Sequence, residues 1–249
     1  GDPTRDYISN LPAGTYYLEI TDTLGCQRID SFTLTEPDGI TLESYTLSES
    51  NDGNYNISCN GGSDGEIRLN FEGGSGVYDY FWTGPAGANL QVEMEDQIGL
   101  IAGDYNVLVT DENGCTMDFD FTLTEPDSLE ILFEPSISSD GNYNINCNGG
   151  TADIDITVSG GSDMGYSYNW STAGGSGLST ASEDQTGLAA GSYIVEVEDL
   201  NGCVLIDSIE ITEPEALSIE HTYTDITCES PGLDNGTADI TVAGGASPY

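Results

Sequence analysis

The groups in this chain best placed to do chemistry are six cysteines, and their spacing is regular. Cys26, Cys115 and Cys203 each follow a tight turn, at Leu24-Gly25, Asn113-Gly114 and Asn201-Gly202, whereas Cys59, Cys147 and Cys228 each precede a glycine-bearing loop. Residues 59 and 115 lie 56 positions apart, and so do 147 and 203. No Cys-x-x-Cys pair or Cys/His cluster exists, which argues against zinc. Thiols strung along an acidic chain instead point to disulfides and an oxidising, extracellular setting. The spacing favours Cys59–Cys115 and Cys147–Cys203, each inside one unit, with Cys26 and Cys228 paired outside this sequence. Connectivity is not readable from sequence. Bridges across a joint between units are the alternative, because a sandwich can hold these two positions at opposite ends.

Catalysis has little to work with. His221 is the sole histidine and lysine is absent, so no nucleophile–base–orienter set can be assembled in each unit. The carboxylates are spread evenly, and no pair stands out for glycoside cleavage. The expectation is no enzyme, no catalytic residue and no organic cofactor. Calcium is the one metal worth naming. Glu49-Ser-Asn-Asp52-Gly53, Asp111-Glu112-Asn113 and Asp199-Leu-Asn201 supply hard oxygen atoms of the kind Ca²⁺ prefers. Asp52, Asp111, Glu112 and Asp199 are therefore candidate ligands, although Asp, Asn and Gly also simply make good turns.

Forty-four acidic residues face three basic ones, Arg5, Arg28 and Arg68, for a formal charge of −41. Such a chain repels nucleic acid and anionic membranes. No stretch approaches the roughly 20 apolar residues of a membrane helix. Yet 37% of residues are hydrophobic and they alternate with polar ones, which argues against disorder.

The elements that must position these groups are strands. Glu66-Ile-Arg-Leu-Asn-Phe71 and Asp153-Ile-Asp-Ile-Thr-Val158 alternate as half-buried strands do, and Asn-Gly and Gly-Gly pairs separate them. No window has helical spacing. About seven short strands per unit predict an all-β chain of tandem immunoglobulin-like β-sandwich domains arranged end to end. In 127–214 the strands are expected near 129–134, 142–147, 152–159, 166–171, 183–188, 192–199 and 203–212. Trp82 and Trp170 should fill the space between sheets, with Tyr78, Tyr80, Tyr166 and Tyr168 beside them as core or as a binding platform.

A long period organises all of this. Leu11-x-x-Gly14-x-Tyr16 recurs at Leu100-x-x-Gly103-x-Tyr105 and Leu188-x-x-Gly191-x-Tyr193, resembling a tyrosine corner. Each copy closes on Glu-Pro, at Glu36-Pro37, Glu125-Pro126 and Glu213-Pro214. Proline ends a strand without inviting its continuation, so these are the joints. The repeat thus divides the chain into 1–37 (a C-terminal half), 38–126 and 127–214 (complete units) and 215–249 (an N-terminal half). The expectation is a window from a longer tandem array.

The ordered series Cys59-Asn-Gly-Gly-Ser-Asp-Gly65, Gly73-Gly74, Tyr78-x-Tyr80-x-Trp82, Leu100-x-Ala102-Gly103-x-Tyr105 and Asn113-Gly114-Cys115 resembles SprB repeats. The second unit matches it with Cys147-Asn-Gly-Gly150, Tyr166-x-Tyr168-x-Trp170 and Asn201-Gly202-Cys203. The last copy departs from it, with Cys228-Glu-Ser-Pro-Gly in place of Cys-Asn-Gly-Gly. The resemblance implies a segment of a very large surface protein of Bacteroidota, exported by type IX secretion and used in gliding or attachment. On that reading the units are a structural stalk of a secreted adhesin, associated with the outer membrane. The alternative is that the repeats themselves bind surface polysaccharide. Expected partners are neighbouring repeats, other copies in a filament and surface polysaccharide, with neither nucleic acid nor membrane insertion. The resemblance also implies O-glycosylation at Asp-Ser/Thr followed by an apolar residue, making Thr23, Ser128 and Ser208 candidates.

Overall fold

The structure is a computed structural model described over residues 7–162, 165–226 and 236–248. Among these residues the chain forms sixteen strands and no helix. It falls into two compact units, Gly1–Leu47 with Glu66–Thr122, and Ser48–Gly65 with Leu123–Tyr249. These units do not follow the sequence period: the segment Ser48–Gly65 is built into the unit that holds the second repeat.

The first unit is built on β1 (Gly14–Thr21), β2 (Gln27–Leu34), β3 (Thr41–Leu47), β4 (Gly65–Glu72), β5 (Tyr78–Thr83), β6 (Gln97–Leu100), β7 (Gly103–Asp111) and β8 (Thr116–Leu123). β1 and β2 form a hairpin, and two three-stranded sheets run in the orders β3-β4-β6 and β5-β7-β8. Alternation does what the sequence demands. Ile67, Leu69 and Phe71 of β4, and Tyr105, Val107 and Val109 of β7, turn inward and are buried.

The second unit repeats this plan with β9 (Glu130–Pro135), β10 (Ala152–Ser159), β11 (Tyr166–Ala173), β12 (Gln185–Leu188), β13 (Gly191–Asp199) and β14 (Val204–Ile211). Its sheets are β9-β10-β12 and β11-β13-β14. β15 (Ser218–Thr224) and β16 (Thr237–Ala243) add a hairpin. One core joins Ile154 and Ile156 to Trp170, Tyr193, Val195, Val197 and Ile211. Trp170 sits in the third strand and donates its indole N–H to the Ser182 carbonyl at 2.9 Å, as Trp82 does to Met94 at 2.8 Å. Truncating either indole to alanine would cost about 3–5 kcal/mol.

Six strands form where seven were expected, because 142–147 is not one of them. The N–H groups of Asn144 and Ile145 both reach the Thr212 carbonyl, at 3.1 Å each, so no ladder can propagate. Asn144 Nδ2 also donates to the Ser136 carbonyl at 3.1 Å. Short polar side chains outcompete strand pairing here.

Candidate functional site

The rear cysteines sit on turns held by one carboxylate. Asp199 Oδ1 accepts the N–H groups of Asn201 and Cys203, each at 2.9 Å, and its Oδ2 accepts Ser162 N–H at 2.7 Å. Asp111 does the same for Asn113 (2.9 Å), Cys115 (2.8 Å) and Ser75 (3.1 Å). Asp22 Oδ1 accepts from Leu24 and Cys26, and these N–H donors hold its carboxyl below the usual range. Three turns thus share one design, an aspartate that pins the Gly-Cys step.

The front cysteines sit on loops of equally repeated design. Ser50 donates its hydroxyl to Asp52 Oδ1, which also accepts Asn54 N–H at 3.1 Å, and Ser138, Asp140 and Asn142 repeat the pattern. The serine hydroxyl is the main reason that Asp52 and Asp140 each fall from 3.8 to about 2. Further along, Asn60 Nδ2 donates to the Pro126 carbonyl at 3.0 Å and Gly61 N–H to Glu125 Oε2 at 2.7 Å. Asn148, Gly149, Glu213 and Pro214 reproduce this at 3.1 and 2.6 Å. Glu125 and Glu213, the glutamates of two of the three Glu-Pro pairs, are therefore the grips on the cysteine loops, a role their sequence position did not reveal.

Within the second unit a loop and a turn meet. Cys59 is bonded to Cys203, 144 residues away in sequence. Beside the bridge, Asp52 N–H donates to Asn201 Oδ1 at 3.1 Å. This corrects the expected pairs Cys59–Cys115 and Cys147–Cys203. The physical reason is the grip just described: Thr124, Glu125 and Pro126 hold Cys59 in the unit that contains Cys203, whereas Cys115 belongs to the other unit. Cys26, Cys115 and Cys147 are free and exposed, and Cys228 lies outside the described residues.

The candidate calcium ligands differ in what they already bind, and Asp52 accepts at Oδ1 from Ser50 and Asn54. Asp111 and Asp199 are buried, with both oxygens on backbone N–H groups, while Glu112 is exposed. Among the described residues no three His, Cys, Asp or Glu side chains assemble as a metal-ligand group. Tyr78 and Tyr166 donate to the carbonyls of Gly73 and Gly160 at 2.7 and 2.8 Å, while Tyr80 rests on Phe71 and Tyr168 packs on the core. Burial pushes the Tyr80 and Tyr168 hydroxyls up. Thr23, Ser128 and Ser208 are all exposed. His221 is exposed and stacks on Tyr223 at 6.2 Å. Sequence reading missed Gln97 and Gln185, fully buried amides whose Nε2 groups donate twice to loop carbonyls. Their identical placement 88 positions apart was the available signal.

The chain carries an SprB repeat, whose family model matches residues 55–87, from the first cysteine loop through the Trp82 strand. No curated protein matches in sequence. Among solved structures, extracellular domains 3-5 of Drosophila OTK align with 80% of this chain and 70% of that one, at 10% identity and a TM-score of 0.32. The SprB repeat and the disulfide point to an extracellular, cell-surface adhesin-like protein.

Proposed function

We propose, taking the SprB repeat at residues 55–87 as the premise, that this chain is a load-bearing stalk segment of a secreted cell-surface adhesin. The observation that carries the reading is the Cys59–Cys203 bridge, which joins the loop of one sequence repeat to the turn of the next. Tension applied to the two ends of the chain meets this covalent link before it can extend the residues between. A stalk gains from such a link, because the folded length is kept until the bond itself is reduced. Gliding traction, type IX export and an outer-membrane location are the settings this role would serve. The repeat period makes the units 38–126 and 127–214 the natural spacers, and length would then scale with their number.

Polysaccharide binding by the repeats has less to support it. The tyrosines that would make a platform spend their hydroxyls on backbone carbonyls or their rings on the core.

Single-molecule stretching of the full chain tests the stalk. With the bridged cysteines 144 positions apart, the oxidised chain should release roughly 500 Å less contour than the reduced one. Equal contour lengths, or specific capture on a glycan array, would count against the spacer role.

A further inference from the structure

Both cysteine loops turn on an Asn-Gly step, Asn60-Gly61 in the first and Asn148-Gly149 in the second. The fold needs both members of the pair. Gly61 and Gly149 have φ of +70° and +76°, and a Cβ on either would meet nothing, so glycine is there for its backbone angle alone. Asn60 and Asn148 supply the amides that reach the carbonyls of Pro126 and Pro214.

This pairing carries a chemical liability. The glycine nitrogen can bond to the asparagine Cγ; the Cγ–Nδ2 bond then breaks, and ammonia leaves with the glycine's proton. Water opens the resulting succinimide to aspartate or isoaspartate, so the net change is one water in and one ammonia out. Glycine has no side chain to hinder the attack, and burial gives no shelter. Asn60, Gly61, Asn148 and Gly149 are all exposed. The rate depends on the glycine N–H giving up its proton, since a protonated peptide nitrogen is a poor nucleophile. Hydroxide must take that proton, because a carboxylate is far too weak a base.

In each loop one carboxylate holds both reacting nitrogens. Gly61 N–H donates to Glu125 Oε2 at 2.7 Å, and Asn60 Nδ2 donates to Glu125 Oε1 at 3.3 Å. Glu213 repeats both bonds, to Gly149 at 2.6 Å and to Asn148 at 3.1 Å. These bonds oppose the reaction in two ways. A negative charge beside the N–H disfavours the anion that loss of its proton would leave, as any like charge does. Attack also needs the asparagine to swing its Cγ onto the glycine nitrogen, which breaks the bonds to Oε1 and to the proline carbonyl.

We propose that Glu125 and Glu213 guard Asn60 and Asn148 against deamidation, a chemical role beside their grip on the loops. This inference stands without the stalk reading. What is guarded is the joint. Isoaspartate would add a carbon to the main chain next to Cys59, and either product would set a second carboxylate against Glu125 where an amide now donates.

The test incubates the full chain and its variants in mildly alkaline buffer at physiological temperature, and reads aspartate and isoaspartate at each asparagine by peptide mapping. In the unaltered chain Asn60 and Asn148 should convert far more slowly than in the same chain unfolded in urea. Glu125→Gln keeps a hydrogen-bonding side chain and removes the charge. It should speed conversion at Asn60 at least ~10-fold while Asn148 stays slow, and Glu213→Gln should do the reverse. Asn56→Ala cuts the loop's other tie, to Thr124, and leaves Glu125 in place. Asn60 should stay slow in that variant, which separates the charge from mere loosening. Equal rates in the folded and unfolded chain, no rise in Glu125→Gln, or an equal rise in Asn56→Ala would overturn the proposal.

Discussion

The loops at 48–62 and 136–150 carry the same internal bonds and end differently. In both, a serine hydroxyl binds an aspartate two residues on, an asparagine ties the loop to a threonine near the joint, and a Glu-Pro glutamate holds the Asn-Gly step. Among the described residues only the first reaches a turn, through Asp52 with Asn201 and through Cys59 with Cys203. The second keeps Cys147 as a free thiol. Since the skeleton is present with or without the bridge, the loop is preformed and the disulfide is added to it. A preformed loop loses little further conformational freedom when it meets a turn, which is how a joint can close reproducibly at every repeat.

Four experiments would break or sharpen this comparison. The largest effect should come from Cys59→Ser or Cys203→Ser, which opens a cross-link spanning 144 residues and should cost about 2–4 kcal/mol. Cys147→Ser should stay within about 0.5 kcal/mol, and calorimetry of the second unit's transition measures both. Next, Glu125→Ala and Glu213→Ala should each cost about 1–2 kcal/mol by chemical denaturation, because each removes charge-assisted bonds to an Asn-Gly step. A cost at Glu125 alone would mean that the grip depends on the bridge.

Smaller again, Asn201→Ala should cost about 1 kcal/mol by removing the acceptor for Asp52 N–H. Asn113→Ala, at the turn whose cysteine is free, should cost measurably less. The smallest effect is pH. Asp52 and Asp140 are held near 2 against an ordinary 3.8, so the folded chain favours their charged forms. That contribution is present above about pH 4 and is lost as pH falls through about 2. Carboxyl titration by NMR should give both residues the same low midpoint; a normal value for Asp140 alone would show that its loop needs a partner.

Much of the fold was legible because it is written in local patterns. Alternation at Ile154 and Ile156 dictates a half-buried strand wherever it lies, and the Leu-x-x-Gly-x-Tyr element does yield a tyrosine corner. Tyr16, Tyr105 and Tyr193 donate to the carbonyls of Pro12, Ile101 and Ala189, each four residues back. The Gly-Gly pairs are legible as turns, but the close approach that they permit is long-range. At Gly73 and Gly160, φ is +85° and +79°, and a Cβ would collide with the carbonyls of Gly39 and Ser128. The stretch 142–147 misled because its apolar and polar residues alternate, while side-chain amides decide where its backbone bonds go.

The sequence by itself determined an all-β chain, its turn aspartates and its two series of cysteines, because each depends on residues within a few positions of one another, and it displayed the period as direct likeness between copies. Which cysteine meets which was decided only in three dimensions. The equal spacing of 59 to 115 and of 147 to 203 pointed to pairing inside each repeat, yet equal intervals follow from the period alone and do not say which cysteine is near in space. The choice falls to Glu125 and Asn56, whose bonds carry the Cys59 loop over to Cys203, and such long-range placement has no local signature in the chain.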